Sequence, residues 1–278
     1  MCPSQLALLR KYEIRPTKRR GQNFLIDGNL ARRIAEDILA LGSDVLELGA
    51  GGGALTGPLL AGGASVWAVE VDRRLCSLLE AEFGGQERFR LLAGDLTALN
   101  LGGLLQRLGE RPVVAGNLPY LLTSTVLFAL AELRAQLGGA VVMIQREVAA
   151  RLTAEVGTKD YGILAAVLGS LFSIEAKRQV PATVFWPRPE VDSTVVSLVP
   201  SASWSDSEYV CFRDTVKALF GQRRKKVATI LRTSFSLDRS DISRVADEAA
   251  FDPDKRPEQL TPQELRSLAR AVGGRKNE

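Results

Sequence analysis

The apolar positions along the first 145 residues change period repeatedly. Leu30, Ile34, Ile38 and Leu41 recur at helical spacing and are closed by Gly42, so residues 29–41 read as a helix. The run Asp44-Val-Leu-Glu-Leu48 is then a short strand that enters the glycine loop Gly49–Gly53, with a helix start over 54–60. Ser65–Glu70 reads as a second strand, followed by a helix over 73–83. Phe89–Ala93, Pro112–Gly116 and Ala140–Ile144 are three further apolar strands, with a helix over 124–135 between the last two. Alternating strands and helices predict a parallel sheet covered on both faces.

The texture changes after about residue 171. Residues 172–180 and 192–199 read as two more strands around a proline-rich turn, Pro181–Pro189. Ser201–Ser207 is polar and linker-like. Beyond it the pattern is helical, with starts expected at Ser207, at Ser240 or Asp241, and at Thr261 before Pro262. The expected organisation is a Rossmann-like α/β domain over 1–200, carrying a basic arm over 1–28, and a small all-helical domain over 201–278.

Composition narrows the chemistry. The 278 residues are 46% apolar and 24% charged, as in globular proteins. No run of 18 apolar residues predicts a membrane span, and Leu6–Leu9 is too short for a signal-peptide core. Cys2, Cys76 and Cys211 lie far apart, which argues against a disulfide framework and a cysteine metal site, and points to the reducing cytoplasm. The chain has no histidine. That excludes Ser-His-Asp and Cys-His nucleophiles, zincin sites and a histidine base. No metal is expected.

Charge is uneven. It sums to +6 over 1–33, −5 over 34–200 and +3 over 201–278. The densest runs are Lys18-Arg19-Arg20 and Arg223-Arg224-Lys225-Lys226, which suit a phosphate backbone or, equally, a solvated surface.

Candidate chemistry gathers at the strand ends, where parallel sheets hold their ligands. Glu47-Leu-Gly-Ala-Gly-Gly-Gly53 allows close backbone approach to a ligand. Glu70 ends the next strand, 21 residues past Gly49, a spacing suited to both ribose hydroxyls. Asp95 follows the third strand and can accept from an adenine amino group. The loop has neither G-x-G-x-x-G spacing nor a P-loop ending. The set Glu47, Glu70 and Asp95 predicts a nucleoside cofactor without a diphosphate, and S-adenosyl-L-methionine fits best.

The fourth strand ends in Asn117-Leu-Pro-Tyr120. This tetrapeptide suits methylation of an exocyclic amine, a poor nucleophile because its lone pair delocalises into the ring. The Asn117 side chain and a backbone carbonyl, that of Leu118, can accept its two N–H bonds. Pro119 fixes the loop. Tyr120 can stack on an extruded base and lie near a cation.

With these motifs the chain resembles the ribosomal RNA adenine dimethyltransferases, and within them the bacterial small-subunit enzymes. The matches span nearly the whole sequence: Gly21-Gln-Asn-Phe-Leu25, the Glu47–Gly53 loop, Glu70-Val-Asp72, Gly94-Asp95, Asn117–Tyr120, Gln145–Arg151, Lys159-Asp-Tyr-Gly162, Phe185–Ser193 and Phe220–Lys225. The resemblance implies dimethylation of two adjacent adenosines in a hairpin loop near the 3′ end of small-subunit ribosomal RNA, with a role in late subunit assembly. It implies that Gln22, Asn23, Leu25, Gly49, Gly51, Val71 and Leu96 join Glu47, Glu70, Asp95 and Asn117 around the cofactor. It implies that Phe185 stacks on the target adenine opposite Tyr120, and that Lys18–Arg20 and Arg223–Lys226 contact RNA. A monomer acting on small-subunit RNA or its precursor particle is expected.

Leu121, Ala165 and Gly169 depart from the family pattern, where Asn, Ser and Gln are common. The nearest rival reading is the large-subunit adenine methyltransferase of macrolide resistance. A catalytically silent RNA-binding assembly factor is a second, a DNA adenine methyltransferase a third, and a dinucleotide oxidoreductase a distant fourth.

Overall fold

The computed structural model describes residues 5–17, 21–201 and 204–274. They divide into two compact units. One comprises residues 1–149 and 174–200, the other residues 150–173 and 201–278.

The first unit is built on a seven-stranded sheet. In chain order its strands are β2 (Asp44–Leu48), β3 (Ser65–Glu70), β4 (Phe89–Ala93), β5 (Val113–Asn117), β6 (Gly139–Gln145), β7 (Phe172–Val180) and β9 (Ser193–Pro200). They lie side by side as β4-β3-β2-β5-β6-β9-β7. From β4 to β6 all pairs are parallel, whereas β9 runs antiparallel to β6. A separate two-stranded ribbon pairs β1 (Phe24–Leu25) with β8 (Phe185–Trp186), setting Leu25 opposite Phe185.

The apolar runs become strands because both faces are covered. Val45, Val66, Val113, Val141 and Val195 share one core cluster with Leu30, Ile34 and Ile38 of α2 (Gly28–Leu39) and with Leu59 and Leu60 of α3 (Thr56–Ala61). The alternate residues Leu46, Val114 and Val142 point the other way and are equally buried. Asp27 caps α2, its side chain accepting from the N–H groups of Asn29 and Leu30. Asp72 caps α4 (Arg73–Phe83) in the same way through Arg74 N–H.

Two elements of this unit have weak sequence signals. The helix α1 (Gln5–Lys11) docks through Leu8 and Leu9 into a cluster with Ile14, Phe24, Leu75 and Leu78. The helix α5 (Leu101–Leu108) contains a Gly-Gly pair and is capped by Asn100. The helix α6 (Thr123–Glu132) stops three residues short of its expected end at 135, where the chain tightens into a 3-10 turn over Arg134–Gln136. The segment α7 (Arg146–Leu152) follows β6 and crosses the unit boundary.

The second unit is helical. It holds α8 (Ile163–Leu171), α9 (Asp206–Phe220), α10 (Val227–Phe235), α11 (Arg239–Ala249) and α12 (Pro262–Gly274). Capping boxes start α9 at Ser205 with Glu208 and α11 at Asp238 with Asp241. The expected border at 200 separates the two units, but residues 150–173 belong with the helical one. The reason is packing: α8 lies against α9 and α12. Tyr161, 1% exposed, also donates its hydroxyl to the Leu260 carbonyl at 3.1 Å and meets the Phe220 ring edge-on. Burial pushes the Tyr161 hydroxyl up to about 12.

Candidate active site

A cavity of about 290 Å³ opens at the carboxyl ends of β2, β3, β4 and β5, within the first unit. This is where the loops after a parallel sheet converge. Every cofactor residue expected from the sequence lines it: Gln22, Asn23, Leu25, Glu47, Gly49, Gly51, Glu70, Val71, Asp95, Leu96 and Asn117. So do Leu118, Pro119 and Tyr120.

The glycine loop is shaped by backbone that only glycine adopts readily. Gly49 and Gly51 have φ of +72° and +59°. The N–H groups of Gly49 and Ala50 both reach the Val69 carbonyl, tying the loop to β3. The loop therefore passes close to the cavity with Ala50 as its only side chain.

The two glutamates differ. Glu70 is 6% exposed. Its Oε2 accepts from Gly51 N–H, and its Oε1 accepts from the N–H groups of Val71 and Asp72, all at 2.9 Å. Three backbone donors fix this carboxylate at the cavity wall. Glu47 is 2% exposed, and its Oε2 accepts a 2.6 Å bond from Thr56 Oγ1. Burial pushes its pKa from 4.5 to about 8, and the neighbouring Glu70 carboxylate adds to the rise.

At the far end, Asp95 is exposed, and its Oδ1 accepts from both the N–H and the hydroxyl of Thr97. These bonds hold its carboxyl below the ordinary range, the backbone donor most of all. Gln22 is committed on both ends: Oε1 accepts from Thr17 N–H, and Nε2 donates to Asp72 Oδ2 at 3.2 Å. Asp72 also accepts from Arg74, the larger cause of its carboxyl lying far below the usual range.

The Asn117 loop is held from two sides. Leu118, 1% exposed, donates its N–H to the Met143 carbonyl. Asn117 Nδ2 donates to the Asn23 carbonyl at 3.0 Å, across 94 positions of sequence. A carbonyl can only accept, so this bond sets the amide orientation and leaves Oδ1 as an acceptor at the cavity. Tyr120 opens a 3-10 turn over Tyr120–Leu122, and its hydroxyl lies 3.5 Å from Ser193 Oγ. Leu121, beside it on the rim, is 83% exposed.

Phe185, expected to stack on the target adenine, is placed in the core. It is 4% exposed, does not line the cavity and belongs to the core cluster of α2 and α3. It pairs with Leu25 in the β1–β8 ribbon. Trp186, its partly exposed neighbour, stacks on Phe24, with 6.4 Å between ring centroids.

The basic runs part company. Lys18, Arg19 and Arg20 lie outside the described residues. The second run sits between α9 and α10 in the helical unit. Arg223 Nη2 donates to the Tyr161 carbonyl at 2.8 Å, Lys225 donates to Gln222 Oε1, and Lys226 pairs with Asp254 at 3.0 Å. Arg224 is exposed and, among the described residues, has no such partner. Arg223 is thus tied to Tyr161, whereas Arg224, Lys225 and Lys226 are all exposed.

The sequence did not single out Gln5, which also lines the cavity. It precedes every recognised motif, and a glutamine beside the short apolar run 6–9 carries no signal by itself. Among the described residues no group of three or more His, Cys, Asp or Glu could hold a metal ion, and no helix is long and apolar enough to cross a membrane.

Known proteins share this arrangement. The family model described as ribosomal RNA adenine dimethylase matches residues 15–263. A ribosomal RNA small subunit methyltransferase A from Moorella thermoacetica is 38% identical, over 96% of both chains. The protein of the same name from Anaeromyxobacter sp. is 39% identical over 98% of both. A dimethyladenosine transferase from Plasmodium falciparum has the same fold, with a TM-score of 0.69 and 22% identity over 85% of this chain and 93% of its own. The 23S ribosomal RNA methyltransferase ErmE superposes with a TM-score of 0.67 at 25% identity, over 90% of this chain and 99% of its own. The family-model match and the near-full-length relatives show that the chain belongs to the ribosomal RNA adenine dimethylase family.

Proposed function

We propose that this protein transfers methyl groups from S-adenosyl-L-methionine to the N6 atoms of two adjacent adenosines in the 3′-terminal hairpin loop of small-subunit ribosomal RNA. The observation that carries the reading is the Asn117 amide, locked by Asn23 so that Oδ1 is offered at the cavity. The names of the full-length relatives favour small-subunit over large-subunit RNA.

The residues present fit the cofactor. The cavity is lined from the glycine loop to Asp95, and its wall offers acceptors for the donors of a nucleoside. Glu70 would take the ribose hydroxyls, Asp95 the adenine amino group, and the Gly49–Gly51 backbone the methionyl part. Val71, 49% exposed, and Leu96 would cover the adenine. When bound, S-adenosylmethionine supplies an electrophilic methyl on a sulfonium.

The chain's own groups prepare the amine. Asn117 Oδ1 and the Leu118 carbonyl accept its two N–H bonds, which draws the nitrogen lone pair out of ring conjugation. Pro119, at φ −56°, holds that carbonyl in place. Tyr120 supports the extruded base from one side. Glu47 stays neutral below about pH 8, so it adds no second carboxylate charge beside Glu70.

The enzyme acts as a monomer in the cytoplasm, with a small-subunit precursor particle as substrate and Arg224 among its RNA contacts. Asn117→Ala tests the chemistry. Cofactor binding should stay within a few fold while the transfer rate falls by about 10²–10³, the usual cost of one preorganised polar group. A fully active variant would remove Asn117 from the reaction centre.

A further inference from the structure

The cavity wall contains the carboxylates of Glu70 and Asp95, the carboxyl of Glu47, which is neutral below about pH 8, and no Lys or Arg. A ligand carboxylate entering it must therefore be met by neutral donors. Four side-chain amides line the wall: Gln5, Gln22, Asn23 and Asn117. Three each have one N–H engaged in a hydrogen bond. Gln22 Nε2 donates to Asp72, Asn23 Nδ2 to the Gly21 carbonyl, and Asn117 Nδ2 to the Asn23 carbonyl.

Gln5 is the exception. It is 8% exposed, and its Nε2 is buried without a hydrogen-bond partner. A buried donor left unmade is costly, and a ligand acceptor would relieve that cost. Its position is set by α1, which Leu8 and Leu9 anchor against Phe24, Leu75 and Leu78. The amide is pressed onto the glycine loop: a Cβ on Gly52 would stand 2.2 Å from Gln5 Nε2. Gln5 thus sits at the glycine-loop end of the cavity, away from Asp95. It also lies outside the family-model match, which begins at residue 15.

We propose that Gln5 is a further cofactor-binding residue, whose amide N–H donates to the carboxylate of the amino-acid end of S-adenosylmethionine. The inference rests on the cofactor reading above. It makes α1 a part of the binding site: the helix supplies the wall amide whose nitrogen has no partner among the described residues, in a wall without a cationic side chain.

The test is calorimetric binding of S-adenosylhomocysteine, compared with S-adenosyl-3-thiopropylamine, its analogue lacking only the carboxylate. Gln5→Met keeps length and packing but removes the donor. It should weaken S-adenosylhomocysteine on the order of tenfold or more, as for a hydrogen bond to a charged group, and change the analogue less than twofold. Gln5→Glu should weaken S-adenosylhomocysteine further and spare the analogue. Equal losses on both ligands would mean that Gln5 only shapes the wall, and would overturn the proposal, as would no loss on either. Failure of the wild-type protein to bind S-adenosylhomocysteine would instead overturn the cofactor reading itself.

Discussion

Replacing Glu47 by Gln should stabilise the protein, and by an amount that depends on pH in a defined way. The carboxyl is 2% exposed, has a single hydroxyl donor in Thr56 and faces the Glu70 carboxylate. Its pKa rises from 4.5 to about 8 in the fold. Below pH 4.5 the group is neutral folded and unfolded, and Gln is close to an isostere that can still accept from Thr56. Between pH 4.5 and 8 the unfolded chain has released the proton and the folded one has kept it. Folding then takes up a proton, so wild-type stability falls as pH rises. The slope is about 1.4 kcal/mol per pH unit, and the whole interval gives a ceiling of about 5 kcal/mol, levelling off above pH 8. That is a large share of the roughly 5–15 kcal/mol that holds a domain together. Urea unfolding of both proteins at pH 5, 6, 7 and 8.5 isolates the effect, because every other titration cancels in the difference between the two. The variant's advantage should be about 1 kcal/mol at pH 5 and several kcal/mol at pH 8.5. A flat difference, or one that favours the wild type at high pH, would refute the reasoning.

Further outcomes follow from the same geometry. Phe185→Ala should cost about 3–5 kcal/mol of stability, as for a core aromatic, in a urea titration; unchanged stability with weakened substrate binding would restore the stacking role. Arg224→Ala should weaken RNA binding and flatten its salt dependence by just under one phosphate contact. Arg223→Ala should instead lower the stability of the helical unit, because its Tyr161 anchor is lost, and a titration of binding against salt separates the two. Tyr161→Phe should lower unfolding stability by about 1 kcal/mol through the lost bond to Leu260 while leaving cofactor affinity unchanged.

Most of the first unit was legible because its signals are local. Val113–Asn117 is a strand wherever it lies, since a run of small and β-branched apolar residues suits a sheet buried on both faces. The cavity wall was legible for the same reason: a parallel sheet puts its strand ends together, so Glu47, Glu70, Asp95 and Asn117 had to converge. What escaped depends on partners distant in sequence. The antiparallel direction of β9 is set by pairing with β6, which no period-two pattern encodes. Phe185 reads as a stacking aromatic because prolines surround it, whereas its burial in the core depends on a fold that pairs it with Leu25, 160 positions away in the chain. Arg223 and Arg224 are neighbours with opposite fates, because only one reaches the Tyr161 carbonyl. Gln5 was invisible because its meaning lies in the bonds its three fellow amides have already made.

The central claim is dimethylation of small-subunit RNA, and one measurement bears on it most directly. Purified small subunits lacking these methyl groups, and large subunits as control, are incubated with the protein and methyl-labelled S-adenosylmethionine, and the RNA is digested to nucleosides. Labelled N6,N6-dimethyladenosine from small subunits alone is the predicted result. Label in the large subunit, or cofactor binding with no label in either, would contradict it.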